Sequence, residues 1–356
     1  MFRYPPDRPC PLTWFPDYSG TNPYQSLLYG ALGPTFDPQP GTIEDALARP
    51  ARGLFHLHWE HAVFATPGGS AEAFLDALLA FRARGGRIVW TLHNLEPRNE
   101  ALAPAIADLR SGLVELADAI HLHSLPALAA ARRVLALPPG KVRIIPHASY
   151  DGAYPVLHRD PAREALGLAE ARMVLLLPGR LAAYKQPGAL AAAFRSVAGP
   201  RDRLLLAGEA VPGAVPADPG DGRILVLPGF APPEVVSRCH AAADLVALPY
   251  DRSLTSGSAV LAATLGRGVV GPDLPGLRDV VEPPRTGLLY DPAEEGGLAR
   301  SIATALGEGA EVWARRGEAA RALAAARDLR FVAAAWRDLF GSLLATAGPP
   351  RVGAAP

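Results

Sequence analysis

The stretch PGRLAAYKQP (178–187) sets Arg180 and Lys185 five positions apart, behind an apolar run and at the start of a helical pattern. Paired cations at such a turn suit a diphosphate, whose charge must be stabilised as it departs; the plainer use is a solvated loop edge. Lysine is scarce, since Lys141 and Lys185 are the only two among 35 Lys and Arg residues. An ammonium kept where guanidinium is the habit points to a compact charge that a planar fork does not replace. A second stretch, LPYDRSLTSGSAVLAATLG (248–266), runs from an apolar strand pattern ending at Tyr250 to Ser256, Gly257 and Ser258, where a helix begins. The first N–H groups of a helix lack intrahelical partners and the dipole adds partial positive charge, so an anion is a natural guest there. Serine also caps helices without any ligand. A nucleophilic serine fails on spacing, because no Gly-x-Ser-x-Gly elbow is present.

Transfer to a hydroxyl also needs a base. The candidates at the ends of first-half apolar runs rank as Glu60, then Asp17, then His93, with Glu96 behind them. Glu60 stands between Trp59 and His61, a setting in which a carboxyl pKa can rise toward neutrality. Asp17 precedes a loop and serves equally as a turn residue, and His93 with Asn94 serves equally as a pair that positions a sugar or phosphate. The triplet HLH occurs at 56–58 and 121–123, and strand alternation puts each histidine pair on one face. Zinc would require a matching Cys or carboxylate set that the sequence lacks, so packed or hydrogen-bonded histidines are expected. Cys10 and Cys239, the only cysteines, lie outside any Cys-x-x-Cys pattern, which fits a reducing cytoplasm.

The elements that must position these groups alternate regularly. LTWF, GLFHLHW, RIVWTLHN, AIHLHS and VRIIPHA read as strands between helices that start at Asn22-Pro23 and Ser70. After a Pro- and Gly-rich loop near 149–170 the pattern begins again with RMVLLLPG, RLLLAG, RILVLPG, DLVALPY, GVVGP and GLLYDP. Two doubly wound α/β domains follow, spanning 1–160 and 161–327. A C-terminal helix near 328–347, with Phe331, Trp336, Leu339 and Phe340 as its apolar stripe, is expected to pack back on the first. Ligands of such sheets sit at the carboxyl ends of the strands, where Asp17, Glu60, His93, Asn94, Glu96, His147, Arg180, Lys185 and the stretch from Tyr250 to Ser258 fall. A net charge of zero argues against a nucleic-acid partner. No apolar run is long enough to span a bilayer and no signal-peptide core opens the chain, so a cytoplasmic protein is expected, with at most surface contact through the small basic cluster RARGGR (82–87).

LPYDRSLTSGSAVLAATLGRGVV together with GRLAAYK resembles the donor half of GT-B glycosyltransferases, which use nucleotide sugars. TNPYQSLLYGAL, GLFHLHWEH and IVWTLHNLEP are similar to segments of bacterial exopolysaccharide glycosyltransferases, above all the xanthan-type β-mannosyltransferases. The resemblance implies two Rossmann-like domains facing a cleft, an acceptor domain followed by a donor domain, and inverting transfer of a hexose. It implies GDP-mannose or a UDP-sugar as donor, a lipid-linked saccharide as acceptor, and the membrane's inner face as the place. Many retaining relatives carry two glutamates eight positions apart; Ser253 and Leu261 stand there in this chain, leaving Asp251, Asp279 and Glu282 as substitutes for the ribose contact. Without an Asp-x-Asp pair, no metal is expected and Arg180, Lys185 and the helix start would neutralise the leaving group. The alternatives are a nucleotide-sugar epimerase of the same fold and a non-catalytic nucleotide-sugar-binding scaffold.

Overall fold

The computed structural model describes residues 8–50, 52–97, 99–213, 220–229 and 231–345. In it the alternating runs resolve into two six-stranded sheets, each wholly parallel. The chain divides into two units, one made of residues up to Pro146 together with those from Leu329, the other of His147–Asp328. The division thus falls before residue 160. The segment after Pro146 belongs to the second unit because Tyr150 N–H donates to Thr264 Oγ1 at 3.1 Å and Ser149 N–H to the Arg327 carbonyl at 2.8 Å.

In the first unit β1 (Cys10–Phe15), β2 (Phe36–Pro40), β3 (Leu54–Leu57), β4 (Arg87–Thr91), β5 (Ala119–Leu122) and β6 (Val142–Ile144) lie in the order β2-β1-β3-β4-β5-β6. Strand β2, FDPQP, has no apolar run; its two prolines withhold N–H groups, which an edge position tolerates. The register pairs Trp14 with His56, His56 with Val89, and Thr91 with His121. Alternation therefore sets Trp14, His56, Thr91 and His121 on one face. Helix 23–30, capped by Asn22, and the C-terminal helix Leu329–Ala345 pack together and cover that face. Trp336 lies 4.8 Å from the His56 ring and 4.5 Å from His121, and Phe340 meets Phe36. The buried stripe of that helix is Val332, Ala333, Trp336, Leu339, Phe340 and Leu343; Phe331 is 67% exposed, since a five-residue step from Trp336 leaves the face. Residues 346–347 lie outside the described residues. On the opposite face Phe55 packs on Phe74 and Phe81 of helix 71–83.

The second sheet orders β7 (Val174–Pro178), β8 (Arg203–Gly208), β9 (Ile224–Pro228), β10 (Leu245–Ala247), β11 (Gly268–Pro272) and β12 (Gly287–Tyr290) as β12-β11-β10-β7-β8-β9. Strands β7, β10 and β11 are buried throughout, as central parallel strands covered on both faces must be. Among the described residues no helix is long and apolar enough to cross a membrane. In the basic cluster, Arg84 donates to the Leu47 carbonyl and Arg87 pairs with Asp118 at 2.9 Å, so two of its three charges serve the fold.

Candidate functional site

The strands of the first unit end earlier than their apolar runs, so His58, His93 and His123 stand just past β3, β4 and β5 and continue the face set by His56, Thr91 and His121. All five histidines are buried. His56, His58, His93 and His121 are joined by hydrogen bonds, and His123 meets the cluster through its ring, 4.6 Å from His121 and 5.4 Å from His93. His121 Nε2 meets the Ile145 carbonyl at 2.8 Å, and Thr91 Oγ1 lies 3.0 Å from His121 Nδ1 and 2.8 Å from His56 Nε2. The Tyr29 hydroxyl lies 2.9 Å from His56 Nδ1 and 2.6 Å from His58 Nε2, and His58 Nδ1 lies 3.0 Å from His93 Nε2. Burial pushes His56 and His58 well below the ordinary histidine range, and neighbouring imidazoles add to the effect. His93 stacks on Trp59 at 4.2 Å with 15° between the planes, while the Tyr24 ring stands edge-on to His58, His93 and His123. Among the described residues no group of three or more His, Cys, Asp and Glu is arranged to hold a metal ion.

Glu60 is engaged elsewhere. Its carboxylate receives Arg110 Nε at 2.7 Å and lies 2.5 Å from Nη2, with both side chains buried. Arg110 also donates to the Asn94 carbonyl at 2.8 Å and to the Leu95 carbonyl, so the pair anchors the backbone just after His93. Burial lifts the Glu60 carboxyl above its ordinary value, with the Arg110 guanidinium opposing. Asp17 is exposed, and its Oδ1 accepts from Ser19 N–H at 2.9 Å in an Asx turn. That loop is held from inside by buried Gln25, which donates to the Pro16 carbonyl and accepts from Tyr18 N–H, both at 2.8 Å. Asn94 is half-buried and Glu96 exposed.

In the second unit Lys185 is buried, with Nζ donating to the Pro178 carbonyl at 2.8 Å and lying 5.8 Å from the Tyr250 ring centre. Arg180 is 62% exposed and only loosely paired with Glu209 at 3.6 Å. The two strand ends behind these cations approach so closely at Gly179 and Gly208 that a Cβ on Gly208 (φ +148°) would stand 2.1 Å from the Gly179 carbonyl oxygen. Ser256 caps helix 257–264, accepting from Ala259 N–H at 3.1 Å. Burial drives the Tyr250 phenol well above its ordinary range, with hydrogen bonds to Ser258 and Ser256 opposing, so the phenol stays protonated beside the helix start. A Cβ on Gly257 would come 2.9 Å from the Tyr150 hydroxyl and 3.7 Å from His147 Nε2.

Lys185, Tyr250, Ser256, Gly257 and Ser258 thus come together at the carboxyl edge of this sheet, with Arg180 on its rim. Glu282 stands apart, which corrects its placement with the donor contacts. It lies in the connection entering β12, its N–H donates to Thr286 Oγ1 at the amino edge of the sheet, and its carboxylate pairs with Arg285 at 2.6 Å. It borders a cavity of about 230 Å³ lined also by Val260, Asp279 and Arg327. Asp279 is taken up by a bidentate pair with Arg327 at 2.9 and 3.0 Å, and Asp251 lies 3.7 Å from Arg252. Sequence reasoning omitted Arg110, Tyr29, Thr91 and Tyr150. A usable signal existed only for Arg110, a lone charge on the buried stripe Ile106-Leu109-Arg110-Leu113 of helix 103–116.

Residues 172–308 match the family model described as "Glycosyl transferases group 1". Two chains of Xanthomonas campestris pv. campestris named GDP-mannose:glycolipid 4-beta-D-mannosyltransferase are 27% identical over 282 and 279 residues, 71% of this chain and 70% of theirs. Among solved structures, sucrose-phosphate synthase from Thermosynechococcus elongatus superposes with a TM-score of 0.74 at 18% identity, over 94% of this chain and 99% of its own. Anabaena HepE in complex with UDP does so at 0.72 and 16%, over 94% and 100%. Both share the fold of two parallel α/β sheets. Residues 172–308 are a group 1 glycosyl transferase domain, and the chain is a glycosyltransferase of the GT-B fold that resembles the GDP-mannose:glycolipid 4-beta-D-mannosyltransferases.

Proposed function

We propose that this glycosyltransferase moves mannose from GDP-mannose to a lipid-linked saccharide, with inversion and without a metal ion, at the inner face of the cytoplasmic membrane in bacterial polysaccharide assembly. The name of the 27%-identical relatives supports donor, acceptor and β outcome. The observation that carries the reading is the convergence of buried Lys185 and the Ser256-capped helix on Tyr250 at one sheet edge. An ammonium and unpaired helix N–H groups meet a departing diphosphate without a divalent ion. In a single displacement the acceptor oxygen bonds to the sugar C1, the C1–O bond to phosphate breaks, and nucleoside diphosphate leaves with the electron pair. The hydroxyl proton passes to a base, for which His93 is the proposed group, since Glu60 is held by Arg110 and Asp17 by its turn.

Thermal-shift titration with GDP, GDP-mannose, UDP and UDP-glucose tests the donor. Saturation at a hundred times Kd adds about 2.7 kcal/mol of stability, so the GDP compounds should raise the midpoint clearly and the UDP compounds less. Lys185→Ala should shrink that shift. No response to any nucleotide would defeat the reading, binding without transfer would favour a scaffold, and conversion of the donor without acceptor would favour an epimerase.

A further inference from the structure

The polar chain behind His93 has a direction. Its far end is the Ile145 carbonyl, which only accepts, so His121 Nε2 carries a hydrogen. In neutral His121 the other nitrogen, Nδ1, is then an acceptor, and Thr91 donates its hydroxyl hydrogen to it. Thr91 has one hydrogen, so toward His56 it accepts, and His56 is the Nε2–H form. His56 Nδ1 therefore receives the Tyr29 hydroxyl hydrogen, and Tyr29 in turn accepts from His58 Nε2–H. His58 Nδ1 is left as an acceptor, and among the described residues the hydrogen that reaches it is the one on His93 Nε2. Three conditions keep the order: His121, fully buried, is neutral; His56 and His58 are neutral in the same cluster; and the buried Tyr29 phenol keeps its proton.

From this geometry we infer that the chain Ile145–His121–Thr91–His56–Tyr29–His58 holds His93 as its Nε2–H tautomer, so that Nδ1 of neutral His93 accepts a hydrogen from whatever meets it. Under the glycosyl-transfer reading, on which this substrate assignment rests, the group meeting Nδ1 is a sugar hydroxyl and not a phosphate oxygen, which offers no hydrogen. His121, Thr91, His56, Tyr29 and His58 are positioning residues: they act through His93. As the acceptor hydroxyl attacks, its proton moves to Nδ1, and the Trp59 face stacked on the ring supports the resulting imidazolium. The carbonyl at the far end gives that proton no exit, so it leaves again from Nδ1.

The tautomer is read directly in substrate-free protein by long-range ¹H–¹⁵N correlation of ring nitrogens in ¹⁵N-histidine-labelled enzyme. His93 should show a protonated Nε2 and a bare Nδ1; a protonated Nδ1 with bare Nε2 overturns the inference whether or not the enzyme transfers mannose. Thr91→Val keeps the side-chain shape and cuts the chain, so both tautomers should appear at His93 and kcat should fall in proportion to the lost Nε2–H population. Thr91→Ser should restore both. An unchanged His93 spectrum in Thr91→Val and in Tyr29→Phe also overturns it. If the tautomer is as inferred but no glycosyl transfer is found with any donor, the functional reading fails and the relay stands.

Discussion

Glu60 offers a test that separates a chemical role from an architectural one. At 2.5 Å and an effective dielectric constant of 20, the Glu60–Arg110 attraction is about 7 kcal/mol, against a desolvation cost of several kcal/mol for each ion. Removing one partner of a buried pair typically destabilises by about 3–5 kcal/mol, because the other charge is left stranded. In Glu60→Gln the guanidinium keeps the Asn94 and Leu95 carbonyls, which places the loss near the lower end, about 3 kcal/mol. That corresponds to a fall in Tm of roughly 6–12 °C for a domain of this size. Urea unfolding followed by circular dichroism measures it, and a cycle with Arg110→Met and the double variant isolates the coupling. The double variant should recover much of the loss, since an apolar replacement of a whole buried pair is often neutral. Transfer in Glu60→Gln should weaken through the displaced His93–Leu95 backbone and return partly at lower temperature. Unchanged stability with complete loss of transfer would refute this reasoning and make Glu60 the base.

Gly208→Ala should destabilise by at least about 3 kcal/mol, since its Cβ would meet backbone rather than a movable side chain, and should weaken nucleotide binding by shifting Gly179 and Lys185; wild-type urea midpoints would contradict this. Asp17→Ala should leave stability within about 0.5 kcal/mol and kcat within tenfold, and a hundredfold loss of kcat would transfer the base role to Asp17. Acid should unfold the protein early. Burial lowers His147 and His240 to about 4, below the unfolded value near 6.5, so the unfolded chain binds more protons and stability is lost as pH falls from 6.5 toward 4. Each such residue accounts for about 3 kcal/mol across that window, with His56 and His58 adding in the same direction. Urea midpoints that stay flat between these pH values would contradict it.

The two-sheet architecture was legible because buried parallel strands are nearly unbroken apolar runs; β2 was not, because its prolines hide an edge strand behind a turn signature. Strand alternation showed that paired histidines share a face, yet nothing local in Tyr29 or Thr91 announces the hydroxyls that link them. Glu60 misled for a related reason: its partner Arg110 lies fifty positions away, and sequence shows burial more readily than the ion pair that burial demands. Glu282 stood among the substitutes for the missing glutamates on residue type alone, and a short helix between β11 and β12 carries it to the other edge of the sheet.

The helix that closes the first unit is the last described element to be synthesised. Its Trp336 packs on His56 and His121, and its Phe340 on Phe36, so the histidine face, already flanked by helix 23–30, lacks the other part of its cover until residues 329–345 leave the ribosome. At about 5–20 residues per second, that is roughly 10–40 s after β6 is made, time enough for the second unit to fold first. Assembly order is thereby reversed relative to chain order: the second unit, whose residues 147–328 are all made before this helix, is complete before the first, and the Trp336 contacts to His56 and His121 are among the last to form.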